Sequence, residues 1–174
     1  MVPKVFLKPT TALIGPGAPI CIPPGTVRVD HEAELGVVIG RRMCRIDAAE
    51  ALDYVAGYTA VNDVTARDFQ RADGVFARAK GFDSFCPEGP VLATDTDPSD
   101  LRVRAWVDGE LRQDGRTSDM IFDVPRLLEF VSAIMTLELG GILTTGTPSG
   151  FGPLQAWQVV AIEGEGHAPL EYPV

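Results

Sequence analysis

The residues able to do chemistry in this chain are mostly carboxylates. There are only two histidines, His31 and His167, and only three lysines, Lys4, Lys8 and Lys80. A histidine-rich metal site is excluded, and any Ser-His-Asp arrangement would have to use one of two imidazoles. Catalysis must therefore lean on carboxylates, arginine, main chain or a metal ion. The clearest candidate begins at Glu32-Ala33-Glu34. In a strand, residues two apart point the same way, so both carboxylates share one face while their neighbours enter the core. Two adjacent like charges repel and are comfortable only in water or around a cation. A bare Glu-x-Glu is most often a solvated acidic face, and a cation site needs a third acid. Asp63 is a candidate because it ends a strand expected over 58–62, at a turn. Three carboxylates without His or Cys suit a hard cation: Mg²⁺ or Mn²⁺, octahedral, with about three positions left for water or substrate oxygens. Ca²⁺ also takes oxygen ligands, so ligand type alone leaves the ion open. Spacing does not show that Asp63 meets the other two.

The elements that would have to position these groups can be read from the pattern. Residues 1–26 carry six prolines and three glycines, which forbid a helix and allow short edge strands at 4–8 and 18–22. From 27 to 39 the sequence alternates. Val27, Val29, Ala33, Leu35, Val37 and Ile39 fall on one face, and Arg28, Asp30, Glu32 and Glu34 on the other, predicting one strand that is half-buried at first. Asp47 and Glu50 read as a capping box opening a short helix to about residue 55, ended by Gly57. A strand at 58–62, a turn or short helix at 63–70, a connector over 81–90 and a short strand at 91–93 follow. Asp108-Gly109 joins strand 101–107 to a return strand as a hairpin. Asp123-Val124-Pro125 opens a helix whose apolar stripe is Leu127, Leu128, Val131 and Ile134. Short strands at 142–145 and, last, 159–162 complete an α+β, mostly β domain.

Composition narrows the function classes. The chain has 174 residues, 45% of them hydrophobic and 22% charged, which predicts one domain spanning 1–174 with a sizeable core. Fifteen basic against 24 acidic residues give a net charge of −9, and no basic run exceeds Arg41-Arg42, so no nucleic-acid partner is expected. No apolar stretch approaches the roughly 18–20 residues of a membrane span. The N-terminus lacks the long apolar core of a signal peptide. Cys21, Cys44 and Cys86 are an odd, scattered set that reads as free thiols. The expectation is a soluble cytoplasmic protein.

An ordered set of short motifs adds to this. Val29-Asp30-His31-Glu32-Ala33-Glu34-Leu35, then Val37-Val38-Ile39-Gly40, Gly57-Tyr58-Thr59 and Asn62-Asp63-Val64-Thr65-Ala66-Arg67-Asp68 resemble the core of the fumarylacetoacetate hydrolase family. The resemblance continues through Lys80-Gly81-Phe82-Asp83-Ser84-Phe85-Cys86-Pro87, Thr117-Ser118-Asp119-Met120-Ile121-Phe122 and Thr145-Gly146-Thr147-Pro148, running from about residue 4 to residue 166. It implies a mixed β-roll or sandwich-like catalytic domain with a few short helices, with a Pro/Gly-rich N-terminal part (1–26) and a metal-binding core (27–166), assembled as a homodimer. It implies Glu32, Glu34 and Asp63 as ligands of Mg²⁺ or Mn²⁺, Lys80 as the catalytic lysine beside the ion, and Arg67, Gln70 and Thr147 as substrate-binding residues. The implied substrate is a small anionic 2-oxo or enol acid. Its keto and carboxylate oxygens can chelate an ion, and C–C cleavage, decarboxylation and proton migration can share a metal-bound enolate.

The resemblance also sets an expectation about what is missing. Members carry, upstream of the match to Val5-Phe6-Leu7-Lys8-Pro9, a lid helix with a His and a Glu that activate water or move protons. This sequence starts just before that match, so a lidless form is expected. The implied function is therefore a metal-dependent enzyme on 2-oxo or 2-hydroxydiene dicarboxylates, of the 2-hydroxyhepta-2,4-diene-1,7-dioate isomerase or decarboxylase kind. A fumarylpyruvate- or acylpyruvate-type C–C hydrolase and a non-catalytic metal-binding homologue are the alternatives. The family's usual Leu-Glu-Pro-Gly-Asp stretch stands here as Leu137-Glu138-Leu139-Gly140-Gly141, an altered turn. Taken singly, Lys80 would be a solvated lysine, Arg67 a partner for Asp68, His31 a satisfied structural histidine and His167 a loop residue. Cys86 would be a packing residue, Asp119 and Met120 structural, and Trp106 and Trp157 core or interface.

Overall fold

The computed structural model describes residues 1–89, 92–166 and 169–174. His167, the start of the strand expected at 91–93 and the end of the 81–90 connector lie outside the described residues. In chain order the elements are β1 (Leu13–Ile14), β2 (Val29–His31), β3 (Ala33–Ile39), β4 (Val55–Asn62), β5 (Thr65–Ala66), α1 (Arg67–Asp73), α2 (Ala77–Lys80), β6 (Cys86–Pro87), β7 (Arg102–Val107), β8 (Glu110–Arg116), α3 (Val124–Ile134), β9 (Ile142–Thr144), β10 (Gly152–Leu154), β11 (Val159–Gly164) and β12 (Leu170–Pro173). Short strands predominate, and the α+β, mostly β expectation holds.

The alternating segment 27–39 is two strands rather than one. β2 lies antiparallel between β10 and β5, whereas β3 lies antiparallel between β4 and β9, and Glu32 stands at the step between them. Of its apolar face, Val29, Ala33, Leu35, Val37 and Ile39 enter the core as expected, but Val27 is exposed because it precedes the strand, which begins at Val29. Its acidic face is not half-solvated: Asp30, Glu32 and Glu34 are also buried, Asp30 and Glu32 against protein cations and Glu34 against the Gly146 N–H. Close packing of β3 on β4 depends on Gly36, where a Cβ would stand 2.6 Å from a Val61 methyl.

The third sheet, in the order β12-β11-β7-β8, contains the expected hairpin. Asp108 (φ 52°) and Gly109 (φ 78°) both take positive φ, the two-residue turn whose twist matches the flanking strands. α3 starts as predicted: the Asp123 carboxylate accepts the Arg126 N–H at 2.9 Å, with Pro125 in the first turn. Leu127, Leu128 and Val131 are buried, but Ile134 is exposed, so the buried stripe is shorter than expected.

Several expectations give way to tertiary contacts. Residues 48–54 form a 3₁₀ helix, not an α-helix, and Asp47 makes no side-chain cap. The Ala48 N–H finds the Glu129 carboxylate at 3.3 Å instead. β4 starts at once at Val55, so Gly57 ends no helix; it lies inside the strand, where a Cβ would sit 2.4 Å from the Ala93 carbonyl. Segments 4–8 and 18–22 form no strands; Pro19 withholds a ladder donor inside the second, and Pro3 and Pro9 bound the first. The last strand is β12, beyond 159–162, and the two-residue β1 and β6 pair in parallel. Among the described residues no helix is long and apolar enough to cross a membrane.

Candidate metal centre

Three short segments bring the acids together. The step between β2 and β3 presents Glu32 and Glu34, two residues apart and facing the same way. β4 runs antiparallel to β3 with Asn62 opposite Ala33, so Asp63, the next residue, arrives beside Glu32. The Asp63 N–H donates to the Glu32 carbonyl at 2.9 Å, and the Glu32 N–H to Asn62 Oδ1 at 2.9 Å. Oxygens of the three carboxylates lie within 4.8 Å of one another, and all three side chains are buried. Tertiary pairing thus joins Asp63 to the Glu-x-Glu pair.

Cations surround the cluster. Lys80, at the end of α2 and 4% exposed, donates from Nζ to Glu32 at 2.7 Å and also to Asp63. Arg67, the first residue of α1, donates through Nη2 to Glu32, through Nε to Asp30 at 2.8 Å and through Nη1 to Gln70 at 3.0 Å. Its partners are therefore Asp30 and Glu32. Asp68, the expected partner, is held by Thr26 at 2.5 Å. Lys80 is no solvated lysine. Burial opposes its charge, but Asp63 and Glu32 outweigh burial and raise its pKa.

Two residues at the centre escaped the sequence reading. Lys8 reaches Asp63 at 2.6 Å and the Lys80 carbonyl at 2.6 Å. Its sequence signals were its rarity, as one of three lysines, and its place in the matched stretch Val5-Phe6-Leu7-Lys8-Pro9, neither of which pointed to the acids. Asp30 is fully buried and bridges Arg28 (2.8 Å) and Arg67 (2.8 Å); the alternation placed it on the acidic face, but its pairing depends on α1.

Glu34 is the uncompensated member. It accepts the Gly146 N–H at 2.8 Å and, among the described residues, has no cation partner. Burial first, then repulsion from Asp63, pushes its carboxyl up to about 8, despite opposing attraction from Lys80. A dry three-carboxylate cluster with one member short of positive charge, and with only oxygen donors, fits a hard divalent cation. Glu32, Glu34 and Asp63 would hold it.

The remaining candidates fall into place around this centre. A cleft of about 1020 Å³ is lined by Glu32, Glu34, Asp63, Arg67, Gln70, Lys80 and Thr147, so the structure gathers every sequence-derived site residue into one cavity. His31 is buried and bonded to Gln113 at 2.9 Å, away from the acids, in the expected structural role. Burial lowers its pKa, keeping the imidazole neutral. Cys86 is buried and its thiol is pushed up to about 12 by burial, as a packing residue would be. Trp157 is exposed, outside the core.

Comparison with known proteins agrees with this geometry. The fumarylacetoacetate (FAA) hydrolase C-terminal family matches residues 1–174. A crystal structure of 2-hydroxyhepta-2,4-diene-1,7-dioate isomerase from Mycobacterium marinum is 48% identical with a TM-score of 0.98, covering 100% of this chain and 69% of that one. The mitochondrial oxaloacetate tautomerase of Pongo abelii is 45% identical over 159 residues, 88% of this chain and 72% of that protein. Fumarylpyruvate hydrolase from Pseudomonas aeruginosa, solved with Mn²⁺ and pyruvate, is 28% identical with a TM-score of 0.91, covering 97% of this chain and 77% of that one. The chain spans 66% of the length of the mycobacterial relative it matches at 49% identity.

Proposed function

Because the chain belongs to the fumarylacetoacetate hydrolase family, we propose that it is a divalent-metal-dependent enzyme acting on small 2-oxo or 2-hydroxydiene dicarboxylates. The proposed reaction is of the isomerase or decarboxylase kind, with Glu32, Glu34 and Asp63 holding Mg²⁺ or Mn²⁺. The observation that carries this reading is the buried three-carboxylate cluster, set in a cleft with Lys8, Arg67 and Lys80 paired to its acids. The M. marinum and P. abelii relatives, named for isomerisation and tautomerisation, support it. So does the Mn²⁺ complex of the P. aeruginosa hydrolase.

When bound, the ion would supply Lewis acidity, stabilising negative charge that develops on a substrate keto oxygen. The protein's own groups do the rest. Lys80 and Lys8 place two ammonium groups at the Asp63 edge of the cluster, where they stabilise developing enolate charge in a low-dielectric site. Lys80 also carries N–H protons within the cleft, and a decarboxylated enolate needs one returned. Arg67 is held through Nε to Asp30, and the Nη N–H groups that Glu32 and Gln70 do not take are left for a substrate carboxylate, with Gln70 beside them. Thr147 also lines the cleft. His31 is buried, tied to Gln113 and outside the lining of the cleft, so the proposed reaction does not draw on its imidazole. The proposal includes a homodimer in a cytoplasmic setting, which the three free cysteines fit.

The test is Mn²⁺ titration followed by electron paramagnetic resonance, with Glu32→Ala as control, then assay of oxaloacetate and 2-hydroxyhepta-2,4-diene-1,7-dioate. One tight site lost in the variant, with turnover abolished by chelator, is expected. Undiminished turnover in excess chelator would refute metal dependence.

A further inference from the structure

Gln113 lies on β8, some 80 residues from the acidic pair, and is 1% exposed. All the hydrogen-bonding capacity of its amide is committed. Oε1 accepts the Ala33 N–H at 2.9 Å. A main-chain N–H can only donate, so this bond fixes the amide's orientation. Nε2 then donates to Thr147 Oγ1 at 2.8 Å and to the Pro148 carbonyl at 3.0 Å. A carbonyl can only accept, which confirms the orientation independently. The bond from His31 to Gln113 Oε1 must therefore carry its proton on His31 Nδ1.

The same logic fixes Thr147. Its hydroxyl lies 2.9 Å from the Ala33 carbonyl, so it donates there and accepts from Gln113. Ala33, the residue joining Glu32 to Glu34, thus has its N–H held by Gln113 and its carbonyl held by Thr147. One residue before Thr147, the Gly146 N–H donates to Glu34 at 2.8 Å. Contact is tight on both sides of Gln113. A Cβ at Gly115 would stand 2.5 Å from Pro148 Cβ, and one at Gly150 (φ +98°) would stand 2.3 Å from the Arg112 carbonyl. The 145–150 loop is thereby seated on β8.

We propose that Gln113 is a positioning residue of the carboxylate centre, which sets Glu32 and Glu34 through Ala33 and holds the loop whose Gly146 N–H binds Glu34. This rests on the metal reading above and adds a residue that touches none of the three acids. Pre-organised ligands need supports of this kind, because a carboxylate free to move loses affinity for a cation.

Gln113→Glu separates support from simple packing. It keeps an oxygen for Ala33 and His31 but replaces the donor that faces Thr147 and Pro148. Two readouts are used. In metal-free protein, hydrogen exchange of the amides of residues 145–147 should quicken by about ten-fold while α3 is unchanged. Mn²⁺ affinity, read by electron paramagnetic resonance, should fall by about ten-fold, whereas a merely structural role would lower the melting temperature and leave affinity in the folded protein alone. Affinity within two-fold of wild type, with loop exchange unchanged, would overturn the proposal. If Gln113→Glu does not fold, Thr147→Val cuts the same link and decides by the same criteria. A wild-type protein without a tight Mn²⁺ site would overturn the metal reading instead, and the exchange comparison alone would then decide whether Gln113 holds the loop.

Discussion

Two arrays of paired charge are built on strands of this protein, from the same residue types and at similar distances. On the outer sheet, Arg102 meets Asp114 at 2.7 Å, Arg104 meets Glu163 at 3.0 Å, and Arg116, at the end of β8, meets Asp100 at 2.5 Å. At the β2–β3 step, Asp30, Glu32 and Asp63 meet Arg28, Arg67, Lys80 and Lys8. Water separates the two in effect. Arg102 and Asp114 keep 44% and 33% of their side-chain surface, whereas Lys80 and Asp63 keep 5% and 0%. Solvated pairs contribute about 0–1 kcal/mol, while removing one partner of a buried pair costs about 3–5 kcal/mol. The contrast also shows in acidity. The Arg102 hydrogen bond holds Asp114 below the usual carboxylate range, whereas burial leaves Glu34 above it. Similar pairs stabilise little in one place and form a buried, tightly coupled cluster in the other.

The sharpest way to break this comparison is to neutralise the dry array. Glu34→Gln should weaken Mn²⁺ binding by at least about 100-fold, measured by calorimetry, with secondary structure retained. Equal binding would move the site elsewhere.

Lys80→Met comes next. Glu32 and Asp63 would then face each other without their shared ammonium, so thermal or denaturant unfolding of the metal-free protein should show a loss of about 3 kcal/mol. Mn²⁺ affinity should stay level or rise, because the ammonium no longer competes for both carboxylates. Turnover should fall by at least about 100-fold. A matching fall in metal affinity would assign Lys80 to holding the acids rather than to catalysis.

The pH dependence sharpens the contrast further. Glu34 titrates higher in the folded protein than in the unfolded chain, so the fold retains its proton where the unfolded chain has lost it. Its stabilising contribution is therefore complete below the unfolded value of 4.5 and is lost as pH rises through about 8. The melting temperature of metal-free protein should decline across that window, and Glu34→Gln should flatten the decline. Binding a cation there releases the proton, so Mn²⁺ affinity should rise up to about pH 8.

The smallest effect belongs to the wet array. Arg102→Ala should cost less than about 1 kcal/mol by denaturant unfolding and leave Mn²⁺ affinity unchanged. A larger loss would mean that this pair is less solvated than its exposure indicates.

Legibility in the sequence followed the range of the interaction. Turns, caps and alternation act over a few residues. The Asp108-Gly109 hairpin, the Asp123 cap and the apolar set from Val29 to Ile39 are accordingly where the pattern places them. The capping box at Asp47 did not form: the Glu50 N–H donates to the Asp47 carbonyl rather than to its carboxylate, closing a 3₁₀ turn, while Glu129 from a distant helix takes the Ala48 N–H. The solvated acidic face failed for a similar reason: α1, α2 and Lys8 supplied the cations that made its burial affordable. Lys8 and Gln113 left almost no local signal, since each acts on a partner more than 50 residues away.

By itself the sequence determined which side chains share a strand face, where the chain turns, and that hard oxygen chemistry was the only metal chemistry available to so few histidines and cysteines. The set of motifs also determined the family. Only the tertiary structure decided that Asp63 joins Glu32 and Glu34, that the cluster is buried, and that Glu34 is left without a cation of its own among the described residues. The physical reason is that face and turn are fixed by the geometry of neighbouring peptide units, whereas proximity and dielectric belong to segments that meet only when the whole chain has folded.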